Sequence, residues 1–359
     1  MYSAAGALQA VSFDIERLEV VGGPTPVVEN VGTKSSGASS FDVSENGTLV
    51  YAPSDLLAGR GHRIVWVDRE GREEVLRDEP QRWGHPQLSP DGQYLALDKD
   101  GTDIWVLDLS RGTSSRLTFD DAQETYPLWT TDGRRVMFAS RTKDGENGIF
   151  WRAADGTSEV ERIWPPLSGL AVADELSRVP SAVSPDGALL VFTRRAHPDT
   201  KHDIGVISLP DGEREEMLLE QPFNELWPDL SPDGQWLAYS SDETGTFEVF
   251  VRPFPDVDQG KWQISTHGGN WPAWSPDGRE LYYYNANRMT VVPIEVEPSF
   301  SAGTPQFLFE GDHRYGGGRH FDVALDGKRL VLLQGNDWGQ LNVAINWFQE
   351  LKAHVPTEK

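Results

Sequence analysis

Aromatic and charged side chains recur at one position of this sequence, a few residues ahead of a repeated Asp-Gly turn. They are its best candidates for chemistry. They read Arg82, Trp83 and His85; Glu124 and Tyr126; Arg178; Glu225 and Trp227; Asn270 and Trp271; Arg319 and His320. Aromatic faces interleaved with a few charges of both signs suit capture of a peptide, a sugar or a small charged ligand. Each residue also has a purely structural reading. A tryptophan just before proline, as at Trp227 and Trp271, can plug a packing gap between repeats. Arg82, Arg178 and Arg319 can pair with Glu124 or Glu225 across a channel. His85 and His320 occupy equivalent places, where an imidazole can hold a metal, move a proton or simply complete hydrogen bonds.

Other chemistries are excluded more firmly. The chain has no cysteine, which removes disulfides, thiolate metal sites and cysteine nucleophiles. No Gly-x-Ser-x-Gly elbow or His-Glu-x-x-His zinc motif is present. Asp120-Asp121 and Asp256-x-Asp258 lack the Asp-x-Asp-x-Asp-Gly ladder of a calcium loop. Calcium would therefore have to be held by scattered channel carboxylates, and no other cofactor is expected. His197 and His202 fall in the polar stretch from Arg195 to His202, which reads as a surface hairpin loop rather than a metal site. Tyr315-Gly316-Gly317-Gly318 has no following Lys-Ser/Thr, so it reads as a flexible strand entry at a channel rim, not a phosphate loop.

The formal charge of −24 argues against nucleic acid or an anionic membrane as partner, since both attract basic surfaces. No apolar run approaches the roughly 20 residues needed to span a bilayer. The N-terminus carries no charged-then-apolar leader. The expectation is a soluble monomer without membrane insertion.

These side chains need a scaffold, and the turns supply its signature. Leu88-Ser89-Pro90-Asp91-Gly92-Gln93-Tyr94-Leu95-Ala96 recurs as Leu230-Ser231-Pro232-Asp233-Gly234-Gln235-Trp236-Leu237-Ala238. Weaker copies run Val183–Val191, Trp274–Tyr282 and Trp129–Gly133, and the most degenerate are Val43–Gly47 and Val323–Gly327. The spacing of roughly 41 to 54 residues suits a four-stranded propeller blade. Proline presets the first corner, Asp bonds to nearby backbone, and Gly takes the left-handed position. The aspartates are thus assigned to the turn. Strands are expected at Pro86–Leu88, Tyr94–Asp98, Asp103–Asp108 and Ser115–Thr118, and again at Pro228–Leu230, Trp236–Ser240, Glu248–Pro253 and Trp262–Ser265.

The fold class expected is an all-β propeller, one domain over residues 1–359, with seven blades favoured over six or eight. Ala7–Asp14 followed by Gly23–Val28 parallels Arg288–Glu295 followed by Gly303–Leu308, the outer half of a blade. Residues 1–30 are therefore expected to supply the outer strands of a composite blade whose inner strands and closing strand come from 319–350. Leu341–Phe348 competes with Leu8–Phe13 for the third place in that blade. The abrupt start at Met1-Tyr2 points to a piece of a longer array.

Beyond the turns, several segments carry a resemblance. They are Asn46–Tyr51, Arg63–Gly71, Val249–Pro255, Trp262–Thr266 and Asn346–Leu351. With the Ser-Pro-Asp-Gly units they resemble the WD40-like PD40 repeats of TolB-like propellers, and in particular the propeller C-terminal to bacterial Ser/Thr protein kinases. The resemblance implies a sensor or scaffold that binds proteins or peptides, extracytoplasmic if derived from a membrane-anchored kinase and cytoplasmic otherwise. No glycine-rich phosphate loop, His-Arg-Asp or Asp-Phe-Gly element is present, so kinase activity is not expected. The resemblance brings no catalytic residues with it. A non-catalytic binding propeller is the favoured reading, and a metal-assisted hydrolase or lyase in the channel is its alternative. Trp164–Ser177 breaks the repeat and could cover the channel mouth or be an insertion without structure.

Overall fold

A computed structural model of the chain describes residues 2–4, 7–14, 16–31, 40–44, 46–53, 61–165, 177–311, 318–335 and 342–354. They divide into two compact units, residues 62–335 and the remainder at the two chain ends.

Residues 62–335 build the propeller. Its first blade is an antiparallel sheet of Trp83–Leu88, Tyr94–Lys99, Asp103–Asp108 and Thr113–Arg116. Four more follow over residues 123–164, 178–219, 225–263 and 270–310, with the same order from inner to outer strand. The sixth is Phe321–Val323 and Arg329–Gly335, continued by His62–Asp68 and Glu73–Gln81. Each inner strand touches the next, and Phe321–Val323 touches Trp83–Leu88, so six blades close a ring.

Strand alternation explains why the ring is stable. Successive side chains point to opposite faces, and in a propeller both faces are covered by neighbouring blades. Leu95 and Leu97 pack with Val331 and Leu333 of the sixth blade, whereas Ala96 between them packs with Val136 and Phe138 of the second. Six buried clusters fill the six blade-to-blade interfaces in this way. This is why the second and third strands read as continuous apolar runs.

The turns are built as their residues dictate. Ser89 Oγ donates to Asp91 Oδ1 at 2.6 Å and accepts the Tyr94 N–H at 2.9 Å, while Asp91 Oδ1 accepts the Gln93 N–H. The same set recurs at Ser184/Asp186, Ser231/Asp233 and Ser275/Asp277. These bonds, led by the serine hydroxyl, lower the Asp91 pKa. Gly92 has φ +69°, the left-handed position that favours glycine.

Ring closure differs from the sequence expectation in two respects. The outer strands of the composite blade are His62–Asp68 and Glu73–Gln81, with Val331 opposite Trp66, not residues 1–30. The reason is packing. The third strand of a blade is covered on both faces, and Ile64, Val65, Trp66 and Val67 are apolar on both; Ala7–Asp14 buries only Leu8 and Ala10. The ring therefore has six blades rather than seven. The most degenerate turn, around Asn46-Gly47, joins Phe41–Val43 to Leu49–Tyr51 in the other unit.

That second unit holds an antiparallel sheet of Tyr2–Ala4, Ala7–Asp14 and Glu19–Val28. A smaller sheet pairs Leu49–Tyr51 with both Phe41–Val43 and Asn342–Ala344. Leu8, Val31, Leu49 and Trp347 form its core. The strand expected over Leu341–Phe348 is shorter. It covers Asn342–Ala344, and a helix begins at Trp347 and runs to His354. Residues 166–176 and 315–317, which carried the expectations of a channel cover and a flexible strand entry, lie outside the described residues.

Candidate functional site

The inner strands meet around a cavity of about 250 Å³. Every inner strand or the segment leading into it contributes: His85, Tyr126, Pro180, Trp227, Pro272 and Arg319 stand for the six blades.

A repeated backbone device aims the rings. In the first blade the ladder runs from the Gly84/Asp98 pair directly to Gln87/Ala96, so His85 and Pro86 oppose a single residue. Tyr126-Pro127, Trp227-Pro228 and Trp271-Pro272 do the same. Proline has no N–H to give the ladder, and a bulge at that point re-aims the side chain beside it. His85, Tyr126, Trp227 and Trp271 all take left-handed φ, between +47° and +57°. For bulky residues such a conformation costs on the order of 1–3 kcal/mol each and persists only where the surroundings impose it.

Contacts hold these rings in place. Trp227 lies 5.2 Å from Trp271 and 5.8 Å from Phe247 between ring centres, and Trp271 lies 5.3 Å from His320. Such pairs contribute about 0.5–1.5 kcal/mol each beyond area burial. The His85 and Tyr126 rings stand 3.9 Å apart. His85 Nδ1 makes a short bond to the carboxylate of the buried Asp98. Gly84 leaves room for that carboxylate, since a Cβ there would sit 2.5 Å from Asp98 Oδ2. Gly318 does the same for the imidazole, 2.4 Å from His85 Nε2.

Charge is arranged unevenly. Arg319 pairs with Asp229 at 3.3 Å and Asp322 at 3.5 Å. Asp229 accepts the Trp274 N–H and Asp322 the Leu88 N–H, so each carboxylate also ties its blade to the next. Burial pushes both carboxyls above the usual range, against the pull of Arg319. Arg195 Nη1 donates to Tyr126 Oη at 3.4 Å, and His202 Nδ1 bonds Asn224 Oδ1 at 2.8 Å. Burial raises the Tyr126 hydroxyl pKa.

Of the residues expected from sequence, His85, Tyr126, Trp227 and Arg319 line the cavity. Trp271 and His320 stand behind them through ring contacts, and His320 is buried. Asn270 begins its strand opposite Tyr284. The others do not reach the cavity wall. Arg82 is largely exposed and 3.8 Å from Asp100. Trp83 is core, edge-on to Trp105. Arg178 is buried over Trp164 and paired with Glu215 at 2.7 Å. The arginines thus find carboxylates, but not Glu124 or Glu225. Those two acids are buried, which pushes Glu124 up to about 7 and Glu225 up to about 8. Among the described residues no three His, Asp or Glu side chains gather as a metal-ligand set.

Sequence reasoning missed Arg195 and His202, which it placed in a surface loop. The third blade carries Val179 where its neighbours carry a ring before proline, and both side chains reach the cavity from the second and third strands of that blade. The absent aromatic was the available signal.

The chain matches no protein-family model. It is 30% identical over 152 residues to an uncharacterized protein of Agrobacterium fabrum, covering 41% of this chain and 50% of that protein. It is 27% identical over 165 residues to the uncharacterized peptidase YuxL of Bacillus subtilis, covering 45% of this chain and 22% of that protein. The chain thus aligns with half or less of either relative. Among solved structures, a putative TolB from Agrobacterium tumefaciens superposes with TM-score 0.62 at 19% identity, over 77% of this chain and 99% of that one. An oligogalacturonate lyase in complex with manganese gives 0.53 at 13% identity, over 83% and 96%. These likenesses concern the fold. No helix among the described residues is long and apolar enough to cross a membrane.

Proposed function

We propose that this TolB-like β-propeller is a non-catalytic binding module that captures a protein or peptide segment in the cavity at the centre of its ring. One observation carries the reading. Four bulky rings are held in costly left-handed backbone at equivalent bulges, and three of them, His85, Tyr126 and Trp227, face one cavity. Strain at equivalent positions of independent repeats is not demanded by the blades themselves, since the third blade manages without it. Rigid aromatic walls with a few polar groups suit an extended segment whose side chains need pockets.

The test is capture of synthetic peptide pools by the full chain. Trp227→Ala should abolish capture in a chain that still melts cooperatively, whereas Arg82→Ala, outside the cavity, should leave it intact. Undiminished capture by Trp227→Ala would remove the cavity from the account. The alternative, a metal-assisted hydrolase or lyase, draws on the imidazole–carboxylate pair of His85 and Asp98 at the cavity wall. It predicts bound metal in the purified protein and a lower melting temperature on chelation; the binding reading predicts neither.

A further inference from the structure

The side chains that line the cavity differ in charge type from the chain as a whole. Asp and Glu outnumber Lys and Arg by 56 to 32. Among the described residues, however, no carboxylate lines the cavity, while two arginines and two histidines do. The carboxylates that touch lining residues are already engaged: Asp98 with His85, and Asp229 and Asp322 with Arg319. Arg195 differs. It is exposed, it meets Tyr126 Oη, and among the described residues no carboxylate pairs with it. A guanidinium presents a planar donor fork that matches a carboxylate with two parallel hydrogen bonds.

We infer that the cavity takes the C-terminal end of a peptide, its terminal carboxylate seated on Arg195 beside the Tyr126 hydroxyl. This rests on the reading of the cavity as a binding site and names its ligand. Three features favour a chain end. The volume, about 250 Å³, equals roughly eight waters at their share of the liquid, which admits a terminal residue rather than a folded element. One uncompensated guanidinium matches one negative charge, whereas Arg319 is already neutralised twice over. Pro127, Pro180, Pro228, Leu128 and Trp227 give that last residue apolar walls.

The experiment uses randomised hexapeptides, acetylated at the N-terminus and ending either in a free acid or in an amide, captured by the full chain and read by mass spectrometry. Acid-ended peptides should be enriched at least about tenfold over amides, as loss of a charged hydrogen bond implies. Arg195→Gln should erase that preference, Arg195→Lys should keep part of it, and both should melt with the parent. Equal capture of acids and amides, lost in Trp227→Ala, would overturn the carboxylate inference and leave the cavity reading standing. Capture that survives Trp227→Ala, or no capture of either pool, would overturn both. Displacement of bound acids by millimolar inorganic phosphate would show a general anion site and overturn the commitment to a carboxylate.

Discussion

Each residue near the ring centre does either packing or presentation, and the sequence shows their type without showing which. Trp83 and Trp227 both precede a turn, yet the first is core and the second lines the cavity; Trp83 sits in the regular ladder opposite Lys99, whereas Trp227 sits in the bulge, where His85 is its counterpart. The proline after Tyr126, Trp227 and Trp271 was visible, so these rings were legible as a set. Arg195 was not, because it lies in the second strand of its blade, away from the position ahead of the turn where the other candidates recur. A second residue-scale consequence concerns Glu225. Its folded pKa, about 8, lies above the unfolded value near 4.5, so the folded state holds a proton that the unfolded chain releases. Stability should therefore fall as pH rises from about 4.5 to 8. Glu225→Gln removes that loss: its melting temperature should exceed the parent's by several degrees at pH 8 and match it near pH 5. Equal melting at both would contradict the burial argument. Gly318→Leu should also close the cavity against any ligand while leaving the blades folded, since a side chain there meets the His85 ring first.

Elements were the most readable scale. The repeats that contain Ser89 and Ser231 gave strands to within a few residues, because a buried blade allows little else between its Gly turns. Inner strands were read too short. Their prolines looked like strand starts, whereas the ladder resumes on the N-terminal side of the bulge, as Gly84/Asp98 and Trp83/Lys99 show. Closure was illegible for a physical reason: two segments, Ala7–Asp14 and His62–Asp68, both carry strand periodicity, and only burial on both faces separates them. This predicts where the ring is vulnerable. Val331 is fully buried at the seam between the two parts of the composite blade. Val331→Asp places an unpaired charge there and should unfold the ring or lower its melting temperature by ten degrees or more. A matching change at exposed Val75, in the fourth strand of the same blade, should cost little.

For the whole molecule, the closed cycle lies within residues 62–335. A chain of those residues alone should fold as a monomer with one cooperative melting transition and a near-ultraviolet spectrum that shows tryptophans held in fixed surroundings. Failure to fold would mean that the chain-end unit is required for closure. In the proposed reading function enters at the ring centre, where six repeats that differ in sequence present one wall. The most direct test of that claim is calorimetric titration of the best captured peptide into the parent chain and into Trp227→Ala. A loss of about thirtyfold or more in affinity, in a variant that still melts cooperatively, is the result expected of a central aromatic anchor. Affinity unchanged within twofold would contradict it.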